Sequence, residues 1–197
     1  KNINYNYTGV DINEIAISWL KDKYKDKEIF NFILHNTELS KDYLQSKSKG
    51  IKTDIDSDAS EVEYKIPENF KCDIQWSWSY FTHLTPESCK KVLKLVNNVA
   101  EKDSLQFNSW LIFDDESSFA LESGLANRIL PYDMGKYLTR SKENPLTVTC
   151  YKKEFIEEIY DKSGLEIIKV IKGNWTSTNT LEKNYNFNQD LIISKKN

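Results

Sequence analysis

The sequence lacks the features that would place the protein in or on a membrane. It contains no apolar run long enough to cross a bilayer, and its N-terminal stretch KNINYNYTGV has no apolar signal-peptide segment. The 27 basic and 30 acidic residues give a net charge of −3, and the basic residues form no stripe. We therefore expect neither an anionic membrane nor a nucleic acid as a partner.

Cysteine-based and metal-binding patterns are also sparse. The three cysteines, Cys72, Cys89 and Cys150, are far apart and show no CxxC spacing, so we expect neither a zinc site nor a disulfide framework. A reducing cytoplasm is the expected compartment. The acidic run from Asp54 to Asp58 lacks the turn glycine of a calcium-binding loop, and no metal site is predicted.

The apolar content is that of a folded protein. The chain has 197 residues, of which 39% are hydrophobic and 13% aromatic, and residues 1–197 are predicted to form a single domain. Strand and helix patterns alternate along it, and the polar stretch at residues 46–70 is predicted to be a loop insertion. This alternation favours an α/β fold with a mostly parallel sheet.

The first elements are predicted within YTGVDINEIAISWL. An apolar strand from Tyr7 to Val10 ends at Asp11, and Asn13 is the predicted N-cap of the helix that follows. The apolar stripe predicted for this helix consists of Ile12, Ile15/Ala16, Trp19/Leu20 and Tyr24. A carboxylate at the end of a strand, next to a helix start, is where α/β folds hold the ribose of a nucleotide cofactor.

Later elements have equally recognisable boundaries. A buried strand is predicted around Cys72–Trp76, and Thr85 and Pro86 suit the N-cap and first position of a helix. Another strand is predicted within Leu105–Glu116 and ends in acidic residues. The amphipathic stretch Lys152–Gly164 is predicted to be a helix with a left-handed glycine at its end. Two strands that form an antiparallel pair are predicted after it.

Three stretches together resemble the class I S-adenosylmethionine-dependent methyltransferases. They are GVDINEIAISWL, DIQWSWSYFTHLTPESCKKVLKLV and the end of the chain, SGLEIIKVIKGNW with NQDLIISKK. The resemblance implies a doubly wound, Rossmann-like, mostly parallel sheet with an antiparallel C-terminal strand. It also implies S-adenosylmethionine as the cofactor.

One part of the family pattern is missing from the chain. The family's first central strand and its glycine-rich loop should lie about 20 residues before the ribose-binding acid, but only ten residues precede Asp11 and no G-x-G occurs. We expect the chain to be part of a longer protein, because a central strand is hard to dispense with. The alternative is a degenerate relative that no longer binds the cofactor. In either case we expect these 197 residues alone to bind it poorly.

The resemblance implies a set of cofactor-binding residues. Asp11 would bind the ribose hydroxyls, and Ile12 would lie beside the adenine. Asn36 would contact the adenine edge, and the backbone around Trp76 and Ser77 would hold the methionine part. The alternative for Asp11 is an acid at a helix start that the helix dipole favours, and this role is compatible with ribose binding. The alternative for Asn36 is a plain turn.

The predicted acceptor side contains four residues. His83 is a candidate general base, whose alternative role is packing or capping near a helix. Tyr80 could touch the acceptor, and Asp114 could bind the acceptor or a metal, or belong to a solvated strand-to-helix turn. Trp175 could form a lid or wall of the acceptor pocket, or be part of the core.

The predicted function is transfer of a methyl group from S-adenosylmethionine to a small-molecule hydroxyl or amine. A sugar or sugar nucleotide is a possible acceptor by analogy within the family. Two alternatives remain open: a non-catalytic binding module that keeps the scaffold, and another nucleotide-dependent α/β enzyme such as a nicotinamide oxidoreductase.

Overall fold

The computed structural model describes residues 5–34, 66–67, 69–177 and 187–197. The chain divides into two compact units, the first made of residues 1–54 and 61–67 and the second of residues 55–60 and 68–197. Most of the predicted loop at residues 46–70 falls outside the described residues. In the part of the chain that the structure describes, no helix is long and apolar enough to span a membrane.

The first unit contains the predicted strand and helix, followed by a second strand. Strand β1 is Tyr7–Asp11, helix α1 is Glu14–Lys23 and strand β2 is Phe30–Leu34. The strands pair in parallel, with Tyr7 opposite Phe30 and Asp11 opposite Leu34. The side chain of Asn13 accepts a hydrogen bond from the Ala16 N–H, which confirms Asn13 as the N-cap.

Helix α1 buries only part of the predicted apolar stripe, of which Ala16, Leu20 and Tyr24 are half-buried. Ile17 is its fully buried apolar residue, whereas Ile15 and Trp19, both assigned to the apolar stripe, are 83% and 57% exposed. The correction has a physical reason, since α1 packs on β2. The ring of Tyr24, just past the helix end, lies 4.7 Å from that of Phe30, and Ile17 and Tyr24 share one face because they are two turns apart.

The second unit contains the other helices and strands of the described residues. In chain order they are β3 Cys72–Ser77, α2 Pro86–Val99, β4 Ala100–Trp110, β5 Ile112–Phe113, α3 Asp115–Glu122, β6 Tyr132–Asp133, β7 Tyr137–Thr139, β8 Thr149–Lys152, α4 Lys153–Lys162, β9 Leu165–Ile171 and β10 Asp190–Lys196. Short 3-10 turns occupy Phe81–His83, Pro145–Thr147 and Asn174–Thr176.

Two four-stranded sheets run through this unit. The first has the order β3-β4-β10-β9, in which β3 and β4 are parallel and the other neighbours antiparallel. The second has the order β5-β8-β7-β6, in which only β5 and β8 are parallel. The mixed sheets agree with the predicted α/β class, and the predicted antiparallel pairing of the two C-terminal strands is confirmed. Parallel pairs do not predominate as predicted, since β10 and β7 each run antiparallel to both of their neighbours in the described sheets.

Strand β3 is not the buried strand that the sequence predicted. Ile74 and Trp76 are 69% and 75% exposed. In the described part of the sheet, β3 is an end strand that pairs with β4 alone, but the exposure of these side chains depends on what packs on the sheet face. Among the described residues, no helix covers the face that these two side chains share.

The predicted helices α2 and α4 are confirmed together with their caps. The Thr85 side chain accepts from the Ser88 N–H, and Pro86 is the first helical residue. Gly164 follows α4 with φ of +72°, a left-handed conformation that glycine adopts without steric cost. Both helices bury the apolar faces that their periodicity predicts, which comprise Cys89, Val92, Leu93 and Val99 in α2 and Phe155, Ile156, Ile159 and Tyr160 in α4.

A single buried carboxylate connects three parts of the second unit. Asp190 is 0% exposed, and its Oδ2 accepts from the Ile112 N–H and from Trp175 Nε1, both at 2.9 Å. Its Oδ1 accepts from the Gly173 N–H at 2.8 Å. Burial raises the pKa of Asp190 against the opposing effects of Lys172 and these donors. The start of β10, the start of β5 and the 173–176 turn are therefore held by one side chain.

We expect Asp190→Asn to lower the free energy of unfolding by about 1–3 kcal/mol, because the amide nitrogen must face a buried N–H donor. The matched control is Asp133→Asn. Asp133 also accepts hydrogen bonds from a lysine, Lys152, and from the N–H of a glycine, Gly135. Because its side chain is 57% exposed, loss of its charge should change the free energy of unfolding little. Denaturant titration of both variants tests this expectation. An equal loss of unfolding free energy in Asp190→Asn and Asp133→Asn would contradict it.

Candidate functional site

The carboxyl ends of β3 and β4 and the first residue of β10 lie at one edge of the first sheet in the second unit. Ser77 at the end of β3 pairs with Asn108, and Asp190 at the start of β10 pairs with Trp110. The turn after β3 leads into the 3-10 turn Phe81–His83 at this edge. Ligands of open α/β sheets bind outside the carboxyl ends of the strands, so this edge is the candidate site.

The two residues predicted to hold the methionine part of the cofactor both lie at this edge. Trp76 presents an exposed ring. Ser77 is half-buried, and its Oγ donates to Asn108 Oδ1 at 2.8 Å. Asn108 Nδ2 in turn donates to the Tyr160 hydroxyl at 3.1 Å, so a chain of hydrogen bonds fixes the end of β3 to the interior.

Sequence reasoning missed a set of three residues next to this turn, which we call the Ser–Ser–Gln ring. Ser79 donates its backbone N–H to Ser109 Oγ at 2.6 Å, Ser109 Oγ donates to Gln189 Oε1 at 2.7 Å, and Gln189 Nε2 donates to Ser79 Oγ at 2.8 Å. Gln189 belongs to the QDLI stretch, but the pattern does not indicate that it reaches a turn 110 residues earlier.

His83 is held in one orientation by the backbone. Its Nδ1 lies 3.0 Å from the Leu146 carbonyl oxygen. Because a carbonyl oxygen only accepts, Nδ1 carries the proton in the neutral ring, and Nε2 then carries the lone pair. This is the tautomer that a general base acting through Nε2 requires. Tyr80, the other aromatic candidate, lies directly before the same 3-10 turn, with its ring 5.9 Å from that of Phe81.

Asp114 lies in the strand-to-helix turn that the sequence left open as its alternative, but it is half-buried rather than solvated. It is the N-cap of α3 in a reciprocal arrangement with Ser117, and its Oδ2 lies 2.8 Å from Lys172 Nζ. Burial alone would raise the pKa of Asp114, but the hydrogen bond from Lys172 and the N–H of Ser117 outweigh it and hold the pKa below its ordinary value. The carboxylate therefore stays ionised beside a lysine that also lies 3.9 Å from Asp190.

Trp175 lies in the core. Its side chain is 0% exposed and donates to Asp190, and it belongs to a buried cluster with Leu111, Leu130 and Cys150. This position corresponds to the second of the two roles that the sequence left open for it.

In the first unit, Asp11 ends β1 and is exposed. Its Oδ1 accepts from the Asn13 N–H at 2.8 Å, which forms the local turn before α1. A carboxylate has about four acceptor positions, so the side chain retains the capacity to accept from ribose hydroxyls, and Asp11 fits that role. Ile12 is half-buried beside it. Asn36 lies outside the described residues.

The described residues contain no group of three or more His, Cys, Asp or Glu side chains arranged to hold a metal ion.

Comparison with solved structures shows a likeness to S-adenosylmethionine-dependent methyltransferases. One from Clostridium acetobutylicum ATCC 824 aligns over 97% of this chain and 75% of its own, with 13% identity and a TM-score of 0.52. One from Methanosarcina mazei aligns over 98% and 82%, with 16% identity and a TM-score of 0.53. The 1,6-didemethyltoxoflavin-N1-methyltransferase of Burkholderia thailandensis, which holds 1,6-didemethyltoxoflavin and S-adenosylhomocysteine, aligns over 96% and 60%, with 9% identity and a TM-score of 0.53.

These similarities show the fold. The chain has the Rossmann-like fold of the class I S-adenosylmethionine-dependent methyltransferases, as the sequence resemblance predicted. No family model matches the sequence.

The ion pair of Asp114 should make the second unit more stable at neutral pH than in acid. Because the pKa of Asp114 is lowered by folding, its contribution is fully present above its ordinary pKa of 3.8 and is lost as the pH falls through the lower folded value. Asp114→Asn keeps an N-cap side chain but loses the charge. We expect it to cost about 1–3 kcal/mol at pH ~7 and progressively less in acid.

Melting temperatures measured across this pH range check the expectation. The control is Asp115→Asn, which changes the neighbouring exposed carboxylate. A difference between parent and Asp114→Asn that stays constant into strong acid would show that the ion pair is not its source.

Proposed function

From the class I methyltransferase fold and the placement of Asp11, we propose that the protein is an S-adenosylmethionine-dependent methyltransferase with a small-molecule acceptor. The observation that carries the proposal is Asp11: an exposed carboxylate at the end of a parallel strand, one oxygen of which forms the turn into a helix. That arrangement is the one in which nucleotide-binding α/β proteins bind ribose. The similar protein from Burkholderia thailandensis methylates a small molecule, which supports the acceptor class.

We assign the cofactor-binding roles as follows. Asp11 accepts hydrogen bonds from the ribose hydroxyls, Ile12 packs beside the adenine, and Asn36 contacts the adenine edge. The backbone at Trp76 and Ser77 binds the methionine part. When bound, S-adenosylmethionine supplies an electrophilic methyl group, and the protein's main contribution is orientation of the acceptor.

On the acceptor side, His83 acts as the general base. Its Nδ1–H is held by the Leu146 carbonyl, so Nε2 takes the proton that an acceptor hydroxyl loses. Tyr80 contacts the acceptor, and Asp114, paired with Lys172, contributes charge at the site, whereas Trp175 supports it from the core. A hydroxyl of a sugar or sugar nucleotide is the acceptor that we favour, and an amine is the second candidate.

The cofactor assignment is tested by Asp11→Asn. The asparagine oxygen still accepts from the Asn13 N–H, so the start of α1 is preserved, but the second carboxylate oxygen becomes a donor that faces the ribose hydroxyls. We expect affinity for S-adenosylmethionine and S-adenosylhomocysteine to fall by about 1–3 kcal/mol, measured by calorimetry on the protein made from its complete coding sequence.

Asp22→Asn is the control, because Asp22 is an exposed aspartate in α1 with one lysine partner, Lys25. Undiminished affinity in Asp11→Asn would remove Asp11 from the site. A parent protein that binds nicotinamide dinucleotides rather than either ligand, or binds neither, would refute the methyltransferase proposal.

The base assignment is tested by His83→Asn. The asparagine amide nitrogen occupies the place of Nδ1 and can still donate to Leu146, while Nε2 is lost. For a hydroxyl acceptor we expect turnover to fall roughly 10²–10⁴-fold, with little change in cofactor affinity or melting temperature. If His83 serves only the turn, residual activity should instead follow the folded fraction. Normal turnover in a stable variant would exclude the catalytic role.

A further inference from the structure

The turn after β3 has an uncommon backbone conformation. Ser79 has φ of 56°, in the left-handed region where residues with a side chain are rare because Cβ crowds the backbone. Such a residue persists there only when its surroundings favour that conformation over the ordinary one. The contacts of Ser79 therefore decide whether the turn keeps its shape.

The Ser–Ser–Gln ring supplies those contacts. The Ser79 N–H donates to Ser109 Oγ, which donates its own hydrogen to Gln189 Oε1. The Gln189 amide nitrogen is then directed at Ser79 Oγ. An amide at position 189 satisfies both serines because it carries an acceptor and a donor side by side.

The ring is shielded from water and reinforced by an aromatic contact. Ser109 is 0% exposed and Gln189 is 7% exposed, so water competes little for their hydrogen bonds. Next to the ring, the Trp78 and Phe187 rings lie 5.3 Å apart. The segment that leads into β10 therefore contacts two consecutive residues of the turn.

The same turn carries residues to which the proposed function gives direct roles. Ser77 lies two residues before Ser79, and Tyr80 follows Ser79 and directly precedes the 3-10 turn Phe81–His83. A change of φ at Ser79 from positive to negative would redirect the chain between Ser77 and Tyr80.

We propose that Gln189 and Ser109 are positioning residues for methyl transfer, which act by holding Ser79 in its left-handed conformation. The proposal rests on the proposed function. Neither residue is assigned a contact with substrate or cofactor, and their effect passes through the turn. Because a misplacement of about 1 Å in an active site can cost about 10²-fold in rate, loss of the ring should appear in catalysis.

The central test combines Gln189→Met with Ser79→Gly. Methionine has a similar length, but it cannot donate to Ser79 Oγ and is only a weak acceptor for Ser109. We therefore expect kcat/KM for the acceptor to fall about 10–100-fold. Glycine adopts positive φ about as readily as negative φ. Adding Ser79→Gly to Gln189→Met should therefore restore much of the lost activity. A purely structural role of Gln189 in the core predicts no such rescue.

The matched control is Ser177→Gly in the same Gln189→Met background. Ser177 also has a positive φ, 55°, but is exposed and takes no part in the ring. Ser177→Gly relieves the same kind of backbone strain but leaves the turn after β3 unchanged. Hydrogen exchange at the Ser79 amide gives a readout independent of activity, and exchange should be faster in Gln189→Met than in the parent.

Three results would overturn the proposal: parental kcat/KM in Gln189→Met, rescue by Ser177→Gly equal to rescue by Ser79→Gly, and unchanged exchange at the Ser79 amide. A parent protein that transfers no methyl group would refute the proposed function instead. Amide exchange alone would then test whether the ring holds the turn after β3. Equal exchange at the Ser79 amide in the parent and in Gln189→Met would show that it does not.

Discussion

Two adjacent residues, Gln189 and Asp190, hold the candidate edge of the second unit together. Their side chains make hydrogen bonds in different directions: Gln189 to the turn after β3, and Asp190 to Ile112, Gly173 and Trp175. Both are buried, so each polar atom needs a protein partner. The end of β3, the start of β5 and the 173–176 turn therefore depend on the position at which β10 begins.

This constraint connects packing with chemistry. Lys172, next to the turn that Asp190 holds, lies within 4 Å of both Asp114 and Asp190, and burial makes both ion pairs less sensitive to solvent than surface pairs. His83 depends on a different backbone contact, to Leu146, which fixes its tautomer. Asp114 and His83 are thus oriented by contacts with distant parts of the second unit, as preorganised sites require.

Several elements were predictable because their signals are local. Thr85 and Pro86 start α2, Asn13 caps α1, and Gly164 follows α4, since each depends on a backbone preference within a few residues. Where prediction failed, the cause was tertiary. The exposure of Trp19 follows from how α1 packs on β2, and the exposure of Trp76 from the absence of a helix over that face of β3 among the described residues.

The sequence by itself determined the α/β class, most helix boundaries and Asp11 as the candidate ribose-binding residue, because periodicity, caps and a strand-end acid are readable along the chain. Only the tertiary structure decided that Trp175 is buried, that Asp114 pairs with Lys172, and that Ser79, Ser109 and Gln189 meet. These contacts join residues that are far apart in sequence. Strand pairing brings them together, and no local pattern encodes which distant partner satisfies a buried polar group.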